Sequence, residues 1–181
     1  MWIRQVLENR PETEWRRVST AALVAWLVFF GGFLWYAART SENFLFLDFV
    51  NLIIHEAGHP LFSLFGYTMG ILGGTLLELI VPLSIAAYFW WHRHTAGVAF
   101  CLFWFFENFL YIGTYMADAR RVTLPLVGSG DHDWEILFGQ WGVLHLDQKI
   151  GGVTRTLGWW GMILTVAWLI WMWRRASSSA E

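Results

Sequence analysis

Apolar runs dominate the chain, and their lengths predict helices that cross a bilayer. Residues 18–38 carry no charge and exceed the roughly 20 residues that a spanning helix needs. Residues 44–65 form a second run, in which Asp48, Asn51, His55, His59 and Ser63 recur at steps of three and four. That spacing draws one polar stripe on an otherwise apolar helix. Residues 69–91, interrupted by Glu78 and Pro82, and residues 96–117, containing Glu107 and Asn108, predict two more spans. Residues 157–173 predict a fifth, short and uncharged. Trp15, Trp35, Trp90, Trp91, Trp159, Trp160, Trp171 and Trp173 fall near the ends of these runs, where interfacial anchors belong.

The flanks read differently. Residues 1–17 place Trp2, Ile3, Val6 and Leu7 on one side and predict a short interfacial helix interrupted by Pro11. Residues 118–156 are the longest polar connection, within which 134–146 can form a short amphipathic or re-entrant helix. Residues 174–181 read as a flexible tail. The expected fold is an all-α, polytopic membrane helix bundle, a single domain of about five transmembrane helices over residues 18–173. The first run is too long for a signal peptide and no small-residue cleavage site follows it, so a retained helix is expected.

Composition supports the bilayer as the principal partner. The chain of 181 residues is 56% hydrophobic and only 14% charged, against roughly 25% in soluble domains. A formal net charge of -2 offers no basic surface for nucleic acid. Cys101, the one cysteine, lies in an apolar run and reads as a small buried residue. Five spans with the N-terminus inside put eight Lys and Arg on the cytoplasmic side and leave Arg39, Arg93, Arg174 and Arg175 outside. The N-terminus is therefore expected in the cytoplasm, while Arg174-Arg175 leaves the side of the C-terminus open.

The chemistry centres on His55-Glu56-Ala57-Gly58-His59, an HExxH motif in the second run. A shuffled chain of this composition would contain one about 1% of the time. On a helix, His55 and His59 share a face and can hold one metal, with Glu56 beside it to take a proton from water. Counting at 1.5 Å per residue puts His55, Glu78 and Glu107 in one layer, roughly 13–15 Å from the same surface. Ionisable groups at that depth are costly unless they serve a site. Spacing leaves the third ligand open. Asp118, which ends the polar face of the fourth run, stands first and His132 second. Glu78, Glu107 and Asp133 are alternative ligands or partners behind the histidines. His92-Arg93-His94 reads as a solvated helix end.

The motif on a membrane helix resembles the site-2-type intramembrane zinc metalloproteases. That resemblance implies His55 and His59 as zinc ligands, Glu56 as the base, Asp118 as the aspartate ligand, and a peptide or membrane-protein substrate. The family's Asn-Pro…Leu-Asp-Gly signature is missing, Pro60 follows the second histidine, and the length leaves no room for a PDZ-like domain. The chain is also similar to a group of small bacterial membrane proteins through His55–His59, Ala117-Asp118-Ala119-Arg120, Leu124-Pro125-Leu126 and His132-Asp133-Trp134. This implies the bacterial inner membrane.

The leading expectation is a zinc-dependent intramembrane hydrolase of the metallopeptidase kind, in which Glu56 activates a zinc-bound water. Asn108 either supports the oxyanion or packs helices. One alternative reads Glu56-Ala57-Gly58-His59 as ExxH and combines it with Glu78 and Glu107 in a carboxylate-rich di-iron oxidoreductase. Another is a metal-stabilised scaffold without activity. Oligomeric state is open.

Overall fold

The computed structural model describes residues 14–40, 44–127 and 131–178. Its elements are α1 (Thr20–Arg39), α2 (Asp48–Ser63), α3 (Tyr67–Trp91), α4 (Thr95–Asp118), α5 (Asp133–Gln140), a 3₁₀ turn at Leu144–Leu146, and α6 (Asp147–Ser178). The described residues contain no strand. Helices α1, α3 and α4, and the stretch Leu144–Ser177, are each long and apolar enough to cross a membrane.

Local chemistry sets most of the boundaries. The Ser19 hydroxyl accepts a bond from the Ala22 amide and opens α1. Only Leu64, Phe65 and Gly66 separate α2 from α3, and Gly66 turns the chain at φ 108. His94 Nδ1 accepts from the Gly97 amide at 2.9 Å, so the His92-Arg93-His94 cluster is a helix start and cap.

Three differences from the pattern-based expectation have physical causes. The helix within the second run covers 16 residues, roughly 24 Å, against a hydrocarbon core of about 30 Å. The final helix begins at Asp147 rather than near 157, which shortens the polar connection. Lys149, Thr154, Arg155 and Thr156 end an apolar run, but none of them interrupts backbone hydrogen bonding. The Thr154 and Thr156 hydroxyls bond back to the carbonyls of Ile150 and Gly152. For the same reason the helix continues through Arg174 and Arg175 to Ser178. The expected interfacial helix falls largely on residues 1–13, outside the described residues, and residues 14–19 have no helix. Residues 179–181 of the expected tail are also outside them.

The main core joins α1, α4 and α6. Phe30, Phe33, Ala99, Phe103, Met162 and Leu169 interlock there. Phe30 stacks on Phe103 with ring centroids 4.5 Å apart. Large apolar side chains such as Val28, Ile53 and Leu164 face outward, as lipid-facing helices require. A second cluster docks α5 on the end of α4 through Trp134, Leu137 and Phe138 against Ile112, Tyr115 and Ala119.

Two glycine contacts draw the helices to backbone distance. A side-chain carbon on Gly58 would overlap the carbonyl of Gly73, which brings α2 against α3. A carbon on Gly151 would likewise overlap the carbonyl of Gly113, which brings α6 against α4. Helix α2 lies along α3 but meets α4 only sparsely. The space between them is a cavity of about 880 Å³, closed by the end of α1, the 124–127 loop, α5 and α6.

The Gly58–Gly73 contact is backbone against backbone and cannot be relieved by a side-chain rotation. Gly58→Ala should therefore destabilise the protein by about 1–3 kcal/mol, read as a lowered Tm in detergent. Gly152→Ala, at a helical position with open space, should keep or raise Tm, because Ala is the better helix former. Equal Tm values for the two variants would refute the close α2–α3 packing.

Candidate metal centre

His55 and His59 stand one turn apart on α2, with ring centroids 4.8 Å apart. Both turn Nε2 toward one oxygen. His55 Nε2 is 2.9 Å, and His59 Nε2 3.5 Å, from Asp133 Oδ2. Ligand atoms of these three residues lie within 4.8 Å of one another. The other ring nitrogens face acceptors. His59 Nδ1 bonds the carbonyl of Gly70 at 2.9 Å, and His55 Nδ1 lies 3.4 Å from Glu78 Oε2.

The Gly70 carbonyl can only accept, so it fixes His59 as the Nδ1–H form and leaves a lone pair on its Nε2. His55 Nδ1 faces Glu78 without a hydrogen bond, and in the Nδ1–H form its Nε2 offers a lone pair as well. Two imidazole lone pairs and a carboxylate oxygen then converge on one point. Such a donor set repels itself unless a cation or a proton sits among it. Nitrogen and oxygen donors in threes, with histidines backed by an acceptor, suit zinc with one coordination position left open.

Asp133 is aimed by the turn that starts α5. Its amide donates to the Tyr115 hydroxyl at 3.2 Å. The His132 ring lies on Tyr115 with centroids 4.2 Å apart, and its Nδ1 accepts from the Glu135 amide at 3.3 Å. Burial pushes the His132 imidazole below the usual histidine range, and the neutral ring is the form that can accept this bond.

The ligand order expected from sequence, Asp118 and then His132, is therefore corrected. Neither joins the two histidines of α2. The Asp118 carboxylate accepts from the Thr123 and Leu124 amides, each at 2.9 Å, and from the Thr123 hydroxyl at 2.6 Å. These bonds fold the chain back after α4. His132 caps α5 and places Nε2 3.7 Å from Asp118 Oδ2. Both residues build the turn that presents Asp133, the residue that the sequence pattern placed among the alternatives. Asp133 follows directly on a histidine that can cap a helix. That neighbouring cap was the available signal, because an N1 carboxylate projects from the first turn.

The layer of acids expected from depth counting does converge. Glu78 is fully buried behind His55, and neither of its oxygens has a hydrogen-bond donor among the described residues. At 3.4 Å, His55 Nδ1 lies within ion-pair reach but outside good hydrogen-bond geometry. Asn51 Nδ2 lies 3.1 Å from Glu107 Oε2 and 3.4 Å from Asp48 Oδ1, so one amide group joins two carboxyl groups. Trp104 Nε1 completes this knot by donating to Asn51 Oδ1 at 2.8 Å. Asn108 is fully buried and donates to the Glu78 carbonyl at 2.9 Å. It packs α4 on α3 and does not line the cavity, which corrects its candidacy as an oxyanion donor.

Glu56 is half-buried and lines the cavity together with His55, His59, Tyr115 and Asp133. An Arg120–Asp147 ion pair at 2.6 Å and a Gln148 side-chain bond to the Ala117 carbonyl tie the end of α4 to the start of α6 beside this region. Comparison with family models, with curated proteins and with solved structures finds no match. The likeness to intramembrane metalloproteases rests on the motif residues alone.

Metal titration of variants tests this centre. Asp133→Ala should lower zinc affinity by more than Asp118→Ala or His132→Ala does. Glu78→Gln, which changes only the group behind His55, should lower it by roughly 10–100-fold. Full zinc affinity in Asp133→Ala would remove Asp133 from the ligand set.

Proposed function

We propose that this protein is a zinc-dependent hydrolase of the membrane, acting on an amide or ester carbonyl. One observation carries the reading: His55 Nε2, His59 Nε2 and Asp133 Oδ2 point at a common centre, and Glu56 borders the same cavity. Zinc held by these three residues supplies Lewis acidity and lowers the pKa of water. Glu56 accepts the proton of the attacking water and passes it to the departing amine or alcohol. Tyr115 uses its phenol oxygen to accept the Asp133 amide, and its own proton is left to donate to a carbonyl oxygen. The likeness to the site-2 family favours an amide bond.

The surroundings support a single metal rather than a pair. Glu78 faces the far nitrogen of His55, and Glu107 faces Asn51. Both acids stand behind the histidines rather than around a second ion. For topology, we read α2 as a fifth helix embedded beside α3, with the N-terminus in the cytoplasm of a bacterial inner membrane. The Lys and Arg distribution supports that orientation.

Glu56→Gln should retain about one equivalent of zinc and lose roughly 10²–10⁴-fold in hydrolytic turnover. His55→Ala should lose both metal and turnover. The measurements are metal content by mass spectrometry and release of product from ester and peptide substrates. Two equivalents of iron would point to a di-metal oxidoreductase. Turnover that survives Glu56→Gln would sink the hydrolase reading.

A further inference from the structure

We propose that the substrate of this site is an acyl-chain amphiphile, the ester or amide of a long hydrocarbon chain, rather than a polypeptide. The proposal rests on the zinc-dependent hydrolysis assigned to His55, His59, Asp133 and Glu56.

The cavity is lined by two kinds of residue. Glu56, His55, His59, Asp131 and Asp133 are the polar groups at and around the metal ligands. The remaining walls are mainly apolar, with Leu45, Leu52, Leu110, Leu126 and Trp159 among them, and Asp48 and Arg155 are the charged exceptions. Phe44 and Phe49 also line it. Their rings meet at 4.9 Å, and both are exposed, Phe49 at 65%. Phe49 lies on α2 and Phe44 just before its start, and with α2 embedded in the bilayer these exposed rings contact lipid, so this rim opens to the bilayer. A molecule with a hydrocarbon chain and one polar carbonyl matches that layout. The chain enters from lipid, and the carbonyl meets the polar groups.

A polypeptide matches it poorly. The volume of about 880 Å³ is that of a site for one small molecule, roughly 300–1,000 Å³. A helix about 10 Å across would fill it in about two turns. A helical backbone also hides its carbonyls in its own hydrogen bonds, so cleavage requires unwinding. An unwound backbone in apolar surroundings leaves N–H and C=O groups unpaired, each costing several kcal/mol. The usual remedy is pairing with a strand edge, and the described residues form no strand. The Thr40 and Thr114 hydroxyls already donate to the carbonyls of Tyr36 and Leu110, which leaves the separate phenols of Tyr67, Tyr111 and Tyr115 as the wall hydroxyls, and these form no continuous edge. A hydrocarbon chain makes no such demand.

The test uses the full chain in lipid nanodiscs, loaded with zinc. Its substrates are p-nitrophenyl esters from butyrate to palmitate and a transmembrane peptide. Esters should be hydrolysed in a Glu56-dependent way. From butyrate to palmitate, kcat/KM should rise at least about tenfold, far below the roughly fourfold per methylene that full transfer from water would give. Leu52→Trp and Thr40→Trp narrow the cavity and should reduce the preference for palmitate at unchanged zinc content. If either variant does not fold, the wild type should bind a long alkyl hydroxamate more tightly than a short one. Glu56-dependent cleavage of the peptide with no ester turnover would overturn the proposal and leave the hydrolase reading intact. Ester turnover independent of chain length, or hydroxamate binding independent of it, would do the same. Loss of zinc binding in the wild type, or turnover indifferent to Glu56→Gln, would mark failure of the hydrolase reading itself.

Discussion

Two imidazoles and a carboxylate aimed at one point inside an apolar bundle form an arrangement that requires a reason. The histidine Nε2 atoms lie 2.9 and 3.5 Å from the same oxygen of Asp133. His59 Nδ1 is committed to the Gly70 carbonyl, and His55 Nδ1 faces Glu78 at 3.4 Å. Repulsion among the three donors is offset by a proton or a cation held among them. Much of the surrounding structure serves to hold these groups in place. The glycine contact of α2 with α3 sets the distance between His59 and the Gly70 carbonyl. A carbon on Gly74 would strike the His55 ring, so the absence of a side chain there gives that ring its place.

Several buried polar groups of the bundle depend on a neighbour from another element. Asn51 of α2 joins Glu107 of α4, and Asn108 of α4 bonds the backbone of α3 at Glu78. In hydrocarbon these pairings are worth having because the alternative is a bare polar group. They also fix the rotation of α2 about its axis. A rotation by one residue would separate His55 from Glu78 and Asn51 from Glu107 together.

The cavity follows from the same packing. α2 commits its glycine and polar face to α3 and so stands off from α4. The gap is lined by the candidate metal ligands and Glu56, by mainly apolar walls that also carry Asp48 and Arg155, and by the exposed rings of Phe44 and Phe49. The candidate metal centre and the adjoining, mainly apolar chamber thus arise from one geometric cause.

Sequence alone determined the helical class, four of the apolar runs that became long helices, and the pair His55 and His59 with Glu56 beside them. These are local properties, set by run length and by the 3.6-residue period, and tertiary contacts do not alter them. Depth counting also placed Glu78 and Glu107 in the layer of His55, because rise per residue is constant along a helix. Only the tertiary structure brings Asp133, rather than Asp118 or His132, to the two histidines. Asp118, His132 and Asp133 are all suitable by type. The choice depends on a turn in which Asp118 binds the Thr123 and Leu124 amides, His132 caps α5, and Trp134, Leu137 and Phe138 seat α5 on α4. Polar residues at the start of α6 concealed its true beginning in the same way, because hydrophobicity marks where a helix meets lipid and not where its hydrogen bonds begin. Which carboxylate meets two histidines across 78 and 74 positions is a matter of packing between elements, and no periodicity within one element carries it.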